Sequence, residues 1–373
     1  MQYQYSEEQQ QFKDSLHKFV QDHYDYEARR SLAASEQGYS TEHWQQLAEL
    51  GVLGLNFSEE HGGLGMDLGY AMAVSEEFGQ GLVLEPYFAT VVLAGRLLDR
   101  LGGDKAAELL PAVAAGETQL ALAWEERISS GNPLSVGCSL DVGKLNGEKL
   151  AVLAAPSADA LLVTARDSAG TLQVCLVDSN ADGVSLEAYP MADGHRAATI
   201  GFADAQATVL ASGADAEAAL TATLDEALLV MAAEAQGAMD KALEVSLEYC
   251  RTRKQFGMPL AAFQALQHRL ADMMVHAEKS RSLMWAALQR VDTPEFSAAT
   301  AMLKAALGSN ARYVGQQAIQ LHGGIGMTDE LNVGAYFKRL TTLELLLGNR
   351  NYHLGRLASE DAAKTTSDGA AAA

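Results

Sequence analysis

The stretch Tyr249-Cys-Arg-Thr-Arg-Lys-Gln-Phe-Gly-Met-Pro-Leu-Ala-Ala-Phe-Gln-Ala-Leu-Gln-His-Arg-Leu-Ala-Asp-Met273 joins a helix end, a basic turn and a new helix start in one run. Arg253 and Lys254 stand where the first helix closes, Phe256 and Gly257 follow, and Pro259 opens the next element. Cations at such an end complement the helix dipole. The same residue types also suit a dinucleotide pyrophosphate: a guanidinium takes two phosphate oxygens, an aromatic ring lies against a flat heterocycle, and glycine lets the backbone approach. The residues of this run alone leave both readings open. A second run, Gln320-Leu-His-Gly-Gly-Ile-Gly326, closes another helical stretch. Its glycines suit a C-cap, or main-chain amides turned toward a phosphate or ribose, with Gln320 able to hydrogen-bond an adenine edge or a hydroxyl. It lacks the strand-then-helix context of a Rossmann fingerprint, so a nicotinamide site is not supported.

Outward from these runs the texture changes twice. From Ser6 to about Gly116 apolar residues recur at helical spacing, as in Phe12, Leu16 and Phe19 or Trp44, Leu47 and Leu50, broken by turns such as Glu60-His-Gly-Gly-Leu-Gly65. From about Thr118 to Ser212 the period shortens to alternation, as in Leu172-Gln-Val-Cys-Leu-Val-Asp178, and Asn146-Gly147 reads as a hairpin turn. From Asp215 to about Leu357 helices return, with one stripe through Leu228, Met231, Ala235, Met239, Leu243 and Leu247 and another through Leu303, Leu307, Val314, Ala318 and Leu321. Pro259 and Pro294 each fall between helical stretches, which predicts a four-helix arrangement. The predicted domains are a helical one over 1–117, a β domain over 118–212, a four-helix domain over 213–360 and a disordered tail over 361–373. The fold class is mainly α with a central β domain.

With 373 residues and 48% hydrophobic content the chain can bury a large core. A formal charge of -21 repels a phosphate backbone, which argues against nucleic acid or an anionic membrane as partner, so any phosphate-bearing ligand needs a local cluster of cations. Cys138, Cys175 and Cys250 are far apart, which fits a reducing compartment, and the histidines show no metal-ligand spacing. No signal-like or membrane-length apolar run is present, so a cytoplasmic location is the expectation.

Taken together, the two runs resemble the acyl-CoA dehydrogenase family. The resemblance extends through Leu47-Ala-Glu-Leu-Gly-Val-Leu-Gly-Leu55, Glu59-Glu-His-Gly-Gly-Leu-Gly65 and Glu76-Glu-Phe-Gly79, with Ser58 where a proline is usual. It implies a three-domain fold of a helical domain, a β-barrel and a four-helix bundle. It also implies FAD as cofactor, an acyl-CoA thioester as substrate and an electron-transferring flavoprotein as electron acceptor. In the family a carboxylate removes the α-proton while the β-hydrogen leaves as hydride to the flavin. Carried over by position, Arg253, Gln255 and Phe256 contact the pyrophosphate and adenosine side of FAD, and Gln320, Gly323 and Gly324 hold the adenosine end. Those contacts reach a neighbouring subunit's flavin, so the resemblance implies an oligomer.

The departures from the family pattern are specific. Leu347 stands where the glutamate base is usual, and Ala227 stands at the alternative glutamate position. Glu226 is one residue away, but a one-residue step turns a side chain by ~100° on a helix, which makes an exposed glutamate its plainer reading. Glu344, one turn before Leu347, reads as solvated or salt-bridged. The family's Thr-Glu-Pro-x-x-Gly-Ser-Asp segment appears as Ala121-Leu-Ala-Trp-Glu-Glu-Arg-Ile-Ser129, and its Trp-Ile-Thr strand as Ala151-Val-Leu153 after Gly147-Glu-Lys149. Segments facing the flavin ring are thus altered while segments offered to a neighbour are kept. This pattern resembles the small subunit of pimeloyl-CoA dehydrogenase, along with Tyr336-Phe-Lys-Arg-Leu340 and His353-Leu-Gly-Arg356; related two-subunit enzymes act on steroid side-chain thioesters. The expectation is one subunit of a heteromer, a heterotetramer with a second acyl-CoA dehydrogenase subunit. The alternatives are a self-sufficient homotetramer or dimer using an atypical base such as Glu226, and a non-catalytic scaffold.

Overall fold

The computed structural model describes residues 4–359, and the tail expected to be disordered, 361–373, lies outside the described residues. The helices of the N-terminal part are α1 (Glu7–His23), α2 (Tyr26–Ala34), α3 (Thr41–Glu49), α4 (Leu68–Gly81), α5 (Arg96–Leu101) and α6 (Gly103–Ala114), with a π-helical segment, Phe88–Gly95, before α5. Ser6 starts α1 through a capping box: its hydroxyl accepts from the Gln9 amide at 3.1 Å while the Gln9 side chain accepts from the Ser6 amide at 3.0 Å. The apolar spacing buries Leu16 and Phe19, and Trp44 and Leu47, but Leu50 sits at the C-cap of α3 and is 48% exposed. The described residues group into two compact units, one drawn from residues up to Tyr26, Met72–Val83 and those from Leu228 on, the other from Glu27–Ala71 and Leu84–Ala227.

The second of these units holds β1 (Leu120–Ala123), β2 (Ser139–Asp141), β3 (Lys144–Leu153), β4 (Ala160–Arg166), β5 (Leu172–Asp178), β6 (Val184–Pro190), β7 (Arg196–Gln206) and β8 (Thr208–Ser212). They form a mixed sheet in the order β6-β7-β3-β2-β4-β5-β8, with β1 added parallel to β4. The predicted hairpin turn at Asn146-Gly147 is corrected. The turn lies four residues earlier, at Val142 (φ 45°) and Gly143 (φ 75°), closed by the Asp141↔Lys144 pair of β2 and β3 with Leu140↔Leu145 next along the ladder. Two successive residues at positive φ make the twist that a two-residue hairpin needs. Asn146 and Gly147 instead mark a register shift inside β3, and the Asn146 side chain is held by Asp204 at 2.9 Å. Strand β5 has the predicted bounds but not the predicted half-buried face: Gln173 is buried because its amide donates to Asp167 and Ser212. Helices join the sheet through buried donors, with Arg29 on the Asp193 carbonyl at 2.5 Å and Arg196 on the Ala33 and Ser35 carbonyls.

After the sheet come α7 (Gly213–Thr252), in which the division between units falls, then β9 (Lys254–Gln255), β10 (Met258–Pro259), α8 (Gln264–Leu288), α9 (Phe296–His322) and α10 (Val333–Leu345), with residues 350–359 again helical. In the first unit α8 and α10 pack on α9, and two ion pairs tie α7 to its neighbours: Arg281 to Asp240 and Arg339 to Glu234, each at 2.6 Å. Both predicted stripes face inward, with Leu228, Met231, Ala235 and Met239 buried on α7 and Leu303, Leu307, Val314, Ala318 and Leu321 buried on α9. Both prolines fall between helices as expected, Pro259 in β10 and Pro294 ahead of α9. The three cysteines are buried and free, and among the described residues no helix is long and apolar enough to cross a membrane.

Candidate functional site

The helix end in the first motif is more elaborate than a cap. Beyond α7 the chain folds into a short ribbon in which Gln255 pairs with Met258 and Lys254 with Pro259, closed at its base by the Leu260 amide on the Arg253 carbonyl at 2.9 Å. The tip is Phe256 (φ 55°) and Gly257 (φ 82°). A phenylalanine at positive φ is strained, and an apolar ring in water gives up its burial energy. Phe256 is nonetheless 89% exposed, and Arg253, Lys254 and Gln255 are exposed beside it. A sequence reading finds the helix end but misses the ribbon, although Phe-Gly between two short extended pairs was its available signal.

In the second motif α9 ends at His322, and Gly323 (φ 64°) caps it by donating its amide to the Ile319 carbonyl. A Cβ added at Gly323 or Gly324 would meet nothing within 4 Å, and Gln320 is exposed one turn earlier. Gly323 is needed for its backbone conformation; at Gly324 there is open space over the main chain. The two motifs meet where the Tyr249 ring stacks on His322, centroids 4.4 Å apart. The group of FAD that the family contacts imply fits here: cations, an exposed ring and an uncovered glycine turn belong to one unit.

No free carboxylate stands at either expected base position. Leu347 is buried, outside any helix, and adopts φ 57° in the turn after α10, where its carbonyl accepts from His353 Nε2 at 2.9 Å. Ala227 is fully buried. Glu226 is not the exposed residue expected from its position: Arg96 reaches one carboxylate oxygen at 3.1 Å and the other at 3.4 Å, and Arg100 reaches that second oxygen at 2.6 Å. Arg96 extends this network to Asp99, which in turn accepts from the Ser58 amide at 3.1 Å. A proline at position 58 has no N–H to give, so the departure at Ser58 fits its surroundings. Glu344 is salt-bridged, its two oxygens held by Arg312 at 2.9 and 2.7 Å.

The altered β segments bond to each other. Lys149 is fully buried and its ammonium donates to Glu126 at 2.6 Å, to the Thr164 hydroxyl at 2.8 Å and to the Trp124 carbonyl at 3.3 Å. Glu126 also accepts the amides of Gly137 and Cys138 at 2.7 and 3.1 Å, and the Leu150 amide donates to the Glu125 carbonyl at 2.8 Å. Burial opposes ionisation of Glu126, but Lys149 and the two amides outweigh it and hold the carboxyl below its ordinary range. Burial pulls the Lys149 ammonium downward, while the hydrogen bond and charge of Glu126 pull it back up. Sequence reasoning noted what these segments lack, not this pair, because residues 126 and 149 are brought together only by the sheet.

Residues 6–117 match the model of the acyl-CoA dehydrogenase N-terminal domain and residues 217–360 that of the C-terminal domain. The chain is 31% identical over 360 residues to acyl-CoA dehydrogenase IpdE2 of Mycobacterium tuberculosis, covering 95% of this chain and 97% of that protein. A Tcur3481-Tcur3483 steroid ACAD variant superposes with a TM-score of 0.89 at 30% identity, over 96% of this chain and 99% of the other. The ChsE4-ChsE5 complex of Mycobacterium tuberculosis gives 0.88 at 26% identity, over 97% and 99%. The chain belongs to the acyl-CoA dehydrogenase family.

Proposed function

We propose that this chain is one subunit of a heteromeric, FAD-dependent acyl-CoA dehydrogenase, and that it completes a flavin site on its partner without supplying the catalytic base. The observation that carries the reading is the asymmetry within one chain. The two motifs directed outward in the family are intact and exposed, whereas Leu347 and Ala227 occupy the base positions and the ring-facing β segments are joined to each other through Glu126 and Lys149. The likeness to solved assemblies of paired chains supports it.

In this reading FAD supplies the two-electron oxidation of the acyl-CoA at its α,β carbons. This chain's residues bind and orient. The Arg253 guanidinium takes pyrophosphate oxygens, Phe256 leaves water to lie against the adenosine side with Gln255, and Gln320 with the open amides at Gly323 and Gly324 holds the adenosine end. The substrate class is a bulky, cyclic or dicarboxylic acyl-CoA, the electron acceptor is an electron-transferring flavoprotein, and the working enzyme is cytoplasmic. The division into 1–117, 118–212 and 213–360 is retained as the domain plan.

Recovery of the tagged chain with its native partner, followed by flavin and subunit quantification, tests the proposal. About one flavin per two chains is expected for sites shared in this way. Stoichiometric FAD and acyl-CoA oxidation by this chain purified without a partner would overturn it.

A further inference from the structure

The two motifs touch at His322 of the second, where two contacts fix the ring and a third neighbour crowds its Cβ. Its Nδ1 lies 2.8 Å from the Ala318 carbonyl, which only accepts, so Nδ1 carries a proton. One ring face lies on Tyr249 at an interplanar angle of 28°. Gly326 lies close by, where an added Cβ would come within 2.9 Å of the His322 Cβ. Burial lowers the histidine's pKa against the opposing pull of the Ala318 carbonyl.

Each stacking partner is also the last fixed point before a motif loop. The Tyr249 carbonyl accepts the Arg253 amide at 2.8 Å, so the start of the ribbon hangs from it. His322 is followed directly by the Gly323 cap. The glycine turn is uncovered, and the ribbon tip has only the edge of Phe263 against Phe256, which stays 89% exposed. A shared anchor reduces the ordering that binding must otherwise impose.

We propose that the Tyr249–His322 stack is a positioning element that sets the Arg253–Gly257 ribbon and the Gly323–Gly324 turn in register, so that together they hold the adenosine and pyrophosphate end of a dinucleotide. The proposal rests on the flavin-completing function above. Tyr249 and His322 act through the two loops and touch no reacting atom.

The test is FAD dissociation from the assembled native protein, followed by flavin fluorescence, with thermal unfolding of the same preparations alongside. Tyr249→Ala and His322→Ala each weaken FAD about threefold to tenfold, the range expected when an aromatic pair is lost. The double variant is no weaker than the worse single one, because both remove the same contact. Tyr249→Phe and His322→Phe, which keep a stack, restore most of the affinity even where His322→Phe lowers the unfolding temperature. Additive losses, or unchanged FAD affinity in the alanine variants while Arg253→Ala loses flavin, overturn the positioning role alone. Unchanged flavin in Arg253→Ala as well overturns the flavin-completing function together with it.

Discussion

Gly79 of α4 and Gly237 of α7 are reciprocal: a Cβ on Gly79 would lie 1.9 Å from the Glu234 carbonyl oxygen, and a Cβ on Gly237 would lie 1.9 Å from that of Glu76. Each helix therefore rests on the other's backbone, at a separation that only two hydrogens allow. Glutamates from the same turns face charges: Glu76 meets Lys13 at 2.7 Å, and Glu234 meets Arg339 at 2.6 Å. The close crossing sets these pairs in place.

Gly→Ala inside a helix ordinarily stabilises by roughly 0.5–1 kcal/mol. At this crossing it must push two helices apart, which costs about 1–3 kcal/mol by the usual measure of overpacking. The overlap is with backbone, which cannot rotate away, so the penalty wins. Gly79→Ala and Gly237→Ala are expected to lower the urea midpoint, whereas Gly355→Ala, where an added Cβ meets nothing within 4 Å, leaves it unchanged or raises it. Equal midpoints in all three would refute the crossing argument.

Much of this was legible in the residues. Helical spacing placed the buried faces of α1, α7 and α9, and the two motifs placed the exposed cations and glycines, because both signals are local. What was missed depended on pairing across the fold. Asn146-Gly147 has the composition of a turn, yet the sheet takes the turn at Val142-Gly143, four residues earlier. Glu226 looked solvent-facing from its helix position alone, because Arg96 and Arg100 arrive from a different helix. Nor does any spacing in the chain announce Lys149 or Lys304 as buried.

Lys304 makes a pH-dependence prediction. Its Nζ lies 2.6 Å from the Leu343 carbonyl and 2.8 Å from the Glu344 carbonyl, closing the end of α10, and burial brings its pKa from 10.5 to about 7 against the opposing pull of Glu344. A neutral amine has two N–H bonds for those two carbonyls, so losing the charge loses no hydrogen bond. The unfolded chain binds the proton up to about pH 10.5 and the folded chain only to about pH 7, so stability rises with pH between these values and is lost as pH falls through 7. His353, brought by burial to about 4, stays neutral throughout and adds no slope there. The gain is up to about 1.4 kcal/mol per pH unit. Lys304→Met is expected to flatten unfolding free energy between pH 7 and 10 relative to the native chain, and parallel curves would exclude the assignment.

For Glu126 and Lys149 the expected outcome depends on which charge is left behind. Removing one partner of a buried ion pair costs roughly 3–5 kcal/mol, because the other charge stays buried without compensation. Glu126→Gln and Lys149→Met should each destabilise the sheet strongly, with Lys149→Met leaving only the Gly137 and Cys138 amides on an unneutralised carboxylate. The double variant Glu126→Gln/Lys149→Met should recover a good part of the loss. Additive destabilisation in a thermal double-mutant cycle would show that the two do not act as a pair.

Glu226 separates the readings of the reaction. A catalytic base must have an oxygen free to approach the proton it takes, and here both oxygens are occupied by guanidinium groups at 3.1 and 2.6 Å. Arg96 is itself fixed by the Asn56 carbonyl at 2.7 Å and by Asp99 at 2.8 Å, so the carboxylate is one end of a network that joins α5 to α7. Losing such a partner costs stability of about 1–3 kcal/mol, whereas losing a base costs about a hundredfold to ten-thousandfold in rate. Glu226→Gln in the assembled enzyme should therefore lower the unfolding temperature while leaving kcat/KM within about threefold, a margin below the smallest effect of removing a base. A loss of a hundredfold or more with normal flavin content would instead make Glu226 the base, and with it this chain a self-sufficient enzyme.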